Sequence, residues 1–157
     1  MRLEYFQLVD RVVELSLADR TIRAEALVPE SSTIFEGHFP GNPLMPGVLL
    51  VEAMAQTCGW LLLAITKFEH MVFLAQIKEA KLRDFVAPGR ALSIEGRVVH
   101  EGSGFAIATA RIIADAKPVC EVELMFRMLP FPSPDMRGKM LERARQIELP
   151  VGAIVDD

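Results

Sequence analysis

The chain has 157 residues, of which 51% are hydrophobic and 24% are charged. That is enough apolar material for the core of one domain, and it is not the composition of a disordered chain. With 17 basic and 21 acidic side chains, the net charge of −4 argues against the broad basic surface that nucleic-acid binding requires. Cys58 and Cys120 lie in no metal-binding spacing and are too few for a disulfide-stapled secreted scaffold, so we expect a cytoplasmic protein without a metal.

The first part of the chain predicts a β-hairpin followed by a rigid loop. Two extended segments, residues 8–17 and 21–28, flank a turn-like stretch at residues 18–20. The pattern then breaks from Pro29 onward. Residues 36–47 carry so many prolines and glycines that we expect a loop there.

The run from Val48 to Thr66 predicts a buried helix, because it lacks proline and is apolar on every face. Its length approaches that of a membrane span. Since Glu52, Gln56 and Thr57 interrupt the apolar run, we expect no membrane span.

Four further segments, separated by turn-like sequences, are rich in Val, Ile, Leu and Phe, which predicts antiparallel strands. They are residues 71–77, 91–99, 105–113 and 119–128. The element order predicts an α+β domain over residues 1–129, with the helix packed on a concave sheet face. Such an apolar helix needs more cover than one sheet provides, which favours a symmetric dimer.

The C-terminal part differs in character. The prolines of residues 129–134 predict a stiff linker at which the core ends. Residues 135–146 carry apolar side chains at helical spacing, so the tail, residues 130–157, is expected to contain a short docked helix.

The loop from Gly37 to Gly47 is the most constrained segment of the sequence, and it contains His38. An imidazole titrates near neutral pH and can accept or donate a proton, and a rigid loop would hold it still. The alternative interpretation is that His38 only forms a hydrogen bond to a loop carbonyl. His70 and His100, at the ends of predicted strands, are expected to be solvated.

Glu52 lies in the second turn of the predicted helix, and no Lys or Arg occurs between His38 and Lys67. A buried, isolated carboxylate should have a raised pKa, a polar partner, or both. A carboxyl group that is partly protonated near pH 7 can act as a general acid, and Gln56, four residues on, could orient it. The alternative is that Glu52 is a purely structural acceptor.

Gly47 opens the helix, so its backbone N–H lies at the positive end of the helix dipole. A thioester carbonyl bound there would be polarised as enolate character develops. Base, acid and oxyanion donor then lie within one loop-helix unit, which is sufficient to remove a proton alpha to a carbonyl and expel a β-hydroxyl group.

The segment Gly37-His-Phe-Pro-Gly-Asn-Pro-Leu-Met-Pro-Gly-Val-Leu49, followed by Glu52-Ala-Met-Ala-Gln56, resembles the signature of the β-hydroxyacyl-acyl-carrier-protein dehydratases of fatty-acid synthesis. Segments 8–12 and 77–89 are also similar to this family, so the resemblance spans residues 5–128. It implies a hot-dog fold, in which an antiparallel sheet wraps a long central helix. It also implies a homodimer, or a trimer of dimers, with active sites at the subunit interface.

By position, the resemblance implies that His38 is the base at C2 and that Glu52 protonates the departing hydroxyl group. Gln56 would support Glu52, and the Gly47 amide would hold the thioester carbonyl. In the family, the histidine and the carboxylate of one site come from different subunits. A glutamate at position 52 resembles the general dehydratases, whereas the bifunctional dehydratase-isomerases have aspartate.

The implied reaction converts (3R)-hydroxyacyl-acyl-carrier-protein to trans-2-enoyl-acyl-carrier-protein, without metal or cofactor, in fatty-acid synthesis or on specialised chains such as those of lipid A. The substrate would be an acyl chain linked through phosphopantetheine to acyl carrier protein. Candidate tunnel residues are Phe39, Leu44, Met45, Met54 and Trp60, with ordinary core packing as the alternative for each. A basic patch for an acidic carrier would comprise Lys78, Lys81, Arg83 and Arg90; the alternative is that they form an ordinary solvated strand face. The alternative functions are a hot-dog acyl thioesterase and a non-catalytic acyl-carrier-binding module.

Overall fold

The computed structural model describes residues 1–155, which form a six-stranded antiparallel sheet around one long helix. In chain order, the strands are β1 (Arg11–Ser16), β2 (Thr21–Leu27), β3 (His70–Leu82), β4 (Ala91–Gly102), β5 (Phe105–Ala114) and β6 (Lys117–Pro130). They lie side by side in the order β1-β2-β4-β5-β6-β3, so β1 and β3 are the two edges.

The long helix α2 (Gly47–Ile65) packs on the inner face of the sheet and contacts β2 through β6. Twelve of its 19 residues are buried, which confirms the predicted buried helix. Burial of each large apolar side chain, such as Leu61 or Leu62, contributes about 1.5–3 kcal/mol. By length and hydropathy α2 also resembles a membrane span, but the sheet covers most of it, as for a core helix.

Small residues let the sheet approach α2 closely. A Cβ on Gly96 of β4 would lie 3.0 Å from the Cys58 sulfur on the helix, so a larger residue would require the sheet or the helix to shift at this contact. Cys58 is a free thiol, and burial raises its pKa to about 12. The helix inside a wrapped antiparallel sheet is the predicted α+β hot-dog fold.

The hairpin and the four later strands are confirmed, with shifted ends. The largest shift is at β3, which was predicted over residues 71–77 and continues to Leu82. Its second half pairs with β6 through two register irregularities, at Leu74/Gln76 and Lys78/Lys81. Such irregularities disturb the alternation of side chains by which a strand is predicted from sequence.

A short helix, α1 (Thr33–Gly37), lies where the sequence predicted only broken pattern and loop. The Ser32 hydroxyl accepts the Ile34 N–H and caps the helix. The loop before α2 therefore begins at His38, and its predicted start at Glu36 was two residues too early.

The tail contains the predicted helix, α3 (Pro134–Gln146), and a further short helix, α4 (Val151–Val155). Leu141 and Ala144 of α3 and Ile147 after it belong to the same buried core as the sheet. The core therefore extends beyond residue 129, its predicted end, because the linker brings α3 back against the domain and buries its apolar side chains.

Candidate active site

The loop that carries His38 is closed by backbone hydrogen bonds at both ends. The His38 N–H donates to the Ile34 carbonyl at the end of α1 (3.1 Å), and the His38 carbonyl accepts the Leu44 N–H (2.9 Å). Between them, Phe39 and Asn42 exchange two backbone hydrogen bonds of 3.1 and 2.9 Å. These bonds and the prolines hold the half-buried His38 in one position.

The geometry of His38 also fixes which ring nitrogen is available. Its Nδ1 lies 2.9 Å from the Leu44 carbonyl oxygen. A carbonyl only accepts, so Nδ1 carries the hydrogen, and in the neutral ring Nε2 is left as the proton acceptor. From the sequence, a hydrogen bond from His38 to a loop carbonyl and a role in proton transfer were alternatives. In the structure, the hydrogen bond uses Nδ1 and proton transfer would use Nε2, so the two are compatible.

The helix α1 that leads into His38 is anchored by Glu4. One Glu4 carboxylate oxygen accepts hydrogen bonds from the Ser32 hydroxyl (2.6 Å) and the Thr33 N–H (3.1 Å). The Ser32 hydrogen bond, followed by backbone N–H donors, lowers the pKa of Glu4 from 4.5 to about 2. A residue in the N-terminal segment therefore supports the candidate base.

Replacing this carboxylate should make stability less dependent on pH in the acid range. Because folding depresses the pKa of Glu4, its contribution is complete above pH 4.5 and is lost as the pH falls toward 2. We expect Glu4→Gln to be less stable than the wild type at pH 7 and to converge with it near pH 2. Urea unfolding at several pH values measures this, and an equal difference at every pH would contradict it.

Glu52 lies half-buried on α2 and has a polar partner, which is one of the two features expected of it from the sequence. The Gln56 side-chain Nε2 donates to Glu52 Oε1 (3.0 Å) and to the Phe6 carbonyl (2.8 Å). The Gln56 Oε1 accepts the Leu8 N–H (3.1 Å), which fixes the orientation of the amide. Because Glu52 Oε1 accepts a hydrogen bond, the proton of a neutral Glu52 belongs on Oε2.

Glu52 opens onto a cavity of about 320 Å³. That volume is at the small end of the range for small-molecule sites, about 300–1,000 Å³. Its mostly apolar lining comes from the N-terminal segment, α2, β3, β6 and α3. Among the described residues, the lining does not include His38, so one chain alone does not bring His38 into the cavity beside Glu52.

The first residues of α2 supply backbone N–H groups that have no acceptor within the helix. Pro46 precedes the helix and Gly47 is its first residue. A Cβ on Gly47 would overlap the terminal methyl group of Leu82 at the end of β3, so a larger residue here would require the Leu82 side chain to move. The arrangement offers a polarised donor at the junction of the His38 loop and the Glu52 helix.

A family model, the FabA-like domain, matches residues 2–123. This chain belongs to that family. Over 132 aligned residues it is 40% identical to 3-hydroxyacyl-[acyl-carrier-protein] dehydratase FabZ of Francisella tularensis subsp. novicida, covering 76% of this chain and 81% of that protein. The resemblance to the β-hydroxyacyl-acyl-carrier-protein dehydratases is therefore confirmed.

Solved structures share the fold at low sequence identity. Protein PA5202 of Pseudomonas aeruginosa matches with a TM-score of 0.63 and 21% identity, covering 80% of this chain and 91% of that one. A chain of the dehydratase heterocomplex ApeI:P of Xenorhabdus doucetiae gives 0.62 and 14%, covering 87% and 90%. A hypothetical thioesterase with coenzyme A from Streptococcus pneumoniae gives 0.62 and 15%, covering 78% and 88%.

The five candidate tunnel residues of this FabA-like chain lie in different surroundings. Trp60 lines the cavity beside Glu52. Met54 and Met45 are buried in the core, and Leu44 is half-buried in the His38 loop. Phe39 is exposed and stacks on the His38 ring at 4.1 Å between centroids.

The four basic side chains of the candidate patch are all paired with carboxylates. Lys81 and Arg83 pair with Glu121 of β6, at 4.0 and 2.6 Å. Lys78 pairs with Glu123 (3.6 Å), and Arg90 pairs with Asp115 (2.9 Å). Lys78, Lys81 and Arg83 lie together at one end of the β3–β6 pair. Arg90 lies apart from them, in the turn before β4.

Both ends of the chain contribute residues to the site that no sequence pattern indicated. Phe6 and Leu8 bind the Gln56 side chain through backbone atoms. Because residues of any type carry these atoms, the sequence gives no signal for such contacts. Met140 and Arg143 of α3 line the Glu52 cavity. The helical spacing of Met136, Met140, Leu141 and Ala144 indicated a docked helix, but no sequence pattern indicated where it docks.

Proposed function

We propose that this protein dehydrates (3R)-hydroxyacyl-acyl-carrier-protein to trans-2-enoyl-acyl-carrier-protein in fatty-acid biosynthesis. Membership of the FabA-like family and the identity to a FabZ dehydratase support the reaction class. The observation that carries the proposal concerns the side chains of His38 and Glu52. Among residues 1–155, His38 is hydrogen-bonded through Nδ1 and Glu52 through Oε1, whereas Nε2 and Oε2 have no partner. An acid and a base oriented in this way are the groups that an elimination of water needs.

In the proposed mechanism, His38 Nε2 removes a proton from C2 of the acyl chain. The thioester carbonyl oxygen, bound at the Gly47 N–H, carries the developing enolate charge. Glu52 Oε2 protonates the hydroxyl group on C3, the C3–O bond breaks, and the C2=C3 double bond forms as water leaves. His38 is then protonated and Glu52 ionised, and proton return from imidazolium to carboxylate restores the starting state.

We propose that the active unit is a homodimer. His38 does not line the Glu52 cavity among the described residues, which supports a site completed by a second copy. The edge strand β3 has one unpaired side, and Phe73, Leu74 and Ile77 on it are exposed. An open, apolar edge strand is suited to pairing with the same strand of another copy.

The proposed substrate is carried by an acidic acyl carrier protein, which would dock at Lys78, Lys81 and Arg83. These side chains are exposed, and their surface ion pairs are each worth about 0–1 kcal/mol. Carboxylates of a carrier can therefore compete for them at small cost. Free, buried cysteines are consistent with the proposed cytoplasmic setting.

One experiment separates this function from the two alternatives. A medium-chain (3R)-hydroxyacyl carrier thioester is incubated with the protein while enoyl formation and free thiol are measured together. Enoyl product without thiol release is the expected result. Release of free thiol would instead identify a thioesterase, and carrier binding with neither product would identify a binding module.

A further inference from the structure

Part of the cavity beside Glu52 is lined by residues that follow the region matched by the family model. Its floor is α2, from Glu52 to Leu63, a distance of about 16 Å along the helix axis. One side is formed by β3, through Met71 and Leu74. Met140 and Arg143 of α3 contribute to the lining as well, although the family model ends at residue 123.

Two hydrogen bonds tie α3 to the segment that follows α2 and to the N-terminal segment. Near the start of α3, the Arg137 Nε donates to the carbonyl of Phe68, three residues after α2 ends (2.8 Å). Near its end, Arg143 Nη2 donates to the Val9 carbonyl (3.0 Å), next to Leu8, which bonds Gln56. From its start to its end, α3 therefore leads from the segment that follows α2 to the N-terminal segment that bonds Gln56.

Met140 lies between these two anchors, half-buried and facing the cavity. Arg143, whose pKa burial lowers, is held by the Val9 carbonyl and fixes the position of the wall. Methionine is flexible and fills irregular apolar space, so its size controls how much of the cavity remains for a ligand.

We propose that α3 is a wall of the acyl-chain site and that Met140 is a specificity-determining residue for acyl length. This inference rests on the proposed function, because the occupant is the acyl chain whose C3 hydroxyl Glu52 protonates. A pocket discriminates between chains that differ by one methylene by about 10- to 200-fold. A change of several atoms at position 140 should therefore shift the preferred length rather than abolish turnover.

The test uses Trp60, the only tryptophan in the chain, which lines the same cavity. Saturated acyl-pantetheine thioesters of increasing length, each with a terminal bromine, are titrated while Trp60 fluorescence is recorded. Bromine quenches tryptophan on contact, and a saturated chain cannot be dehydrated, so the readout does not depend on turnover. The variants are Met140→Phe, Met140→Ala, Met140→Leu and, as a control on the same helix, Met136→Ala.

We expect quenching in the wild type, loss of binding of the longest accepted chains in Met140→Phe, and at least about tenfold tighter binding of longer chains in Met140→Ala. Met140→Leu and Met136→Ala should resemble the wild type, and thermal unfolding verifies that each variant is folded. An absence of quenching in the wild type, or an unchanged length profile in both folded Phe and Ala variants, would overturn the inference. Length-dependent quenching that Met140 controls, without enoyl product from hydroxyacyl substrates, would support the wall and refute the dehydratase function.

Discussion

Replacing His38 with asparagine should lower kcat/KM for dehydration by about 10²- to 10⁴-fold, the range typical for loss of a general base. Asparagine can place its amide N–H where Nδ1 now donates to the Leu44 carbonyl, so the loop bond is kept. It has no nitrogen that can take the proton at the position of Nε2. The variant therefore separates the structural role of the ring from its chemical role.

The measurement is the initial rate of enoyl formation from a medium-chain hydroxyacyl carrier thioester, together with the melting temperature. His100→Ala is the matched control, because His100 is exposed on β4 and does not line the cavity. We expect the control to retain wild-type turnover. If folded His38→Asn turns over substrate at the wild-type rate, His38 is not the base.

Replacing Glu52 with glutamine should reduce kcat by a similar factor, about 10²- to 10⁴-fold, with a smaller effect on KM. The new amide oxygen can still accept the hydrogen bond from Gln56 Nε2, so the packing of α2 should be unchanged. An amide cannot deliver the proton that the departing hydroxyl group requires. The loss should therefore fall on the chemical step.

The alternative interpretation of Glu52, a purely structural acceptor, gives a different result. In that case Glu52→Gln would lower the melting temperature or raise KM while kcat stayed near its wild-type value. Glu69→Gln is the control for removing an exposed carboxylate near the other end of α2. A folded Glu52→Gln variant with unchanged kcat would refute the role of Glu52 as the acid.

Local patterns in the sequence predicted most of the fold. Hydrophobic periodicity and the positions of proline and glycine depend on neighbouring residues alone. They were sufficient to predict the hairpin, the long helix, the four later strands and the tail helix. The misjudged elements depended in part on distant residues. The helix α1 is capped partly by Glu4, nearly thirty residues earlier, and the far half of β3 is a strand because β6 pairs with it through two irregularities.

The sequence by itself determined the fold class, the family and the identities of the candidate acid, base and oxyanion donor. These lie in one continuous segment, residues 37–56, where a rigid loop enters an apolar helix. Such information is local, so it can be read without coordinates.

Only the tertiary structure decided which atoms of His38 and Glu52 have no hydrogen-bond partner among residues 1–155, and which residues line the cavity beside Glu52. The Leu44 carbonyl leaves Nε2 as the acceptor of neutral His38, and Gln56, held by Phe6 and Leu8, occupies one oxygen of Glu52. The tail returns to the cavity through Arg143. The hydrogen bonds that Gln56 and Arg143 form with backbone atoms join residues that are distant in sequence, so the types of the side chains do not indicate them. They form only when the chain folds.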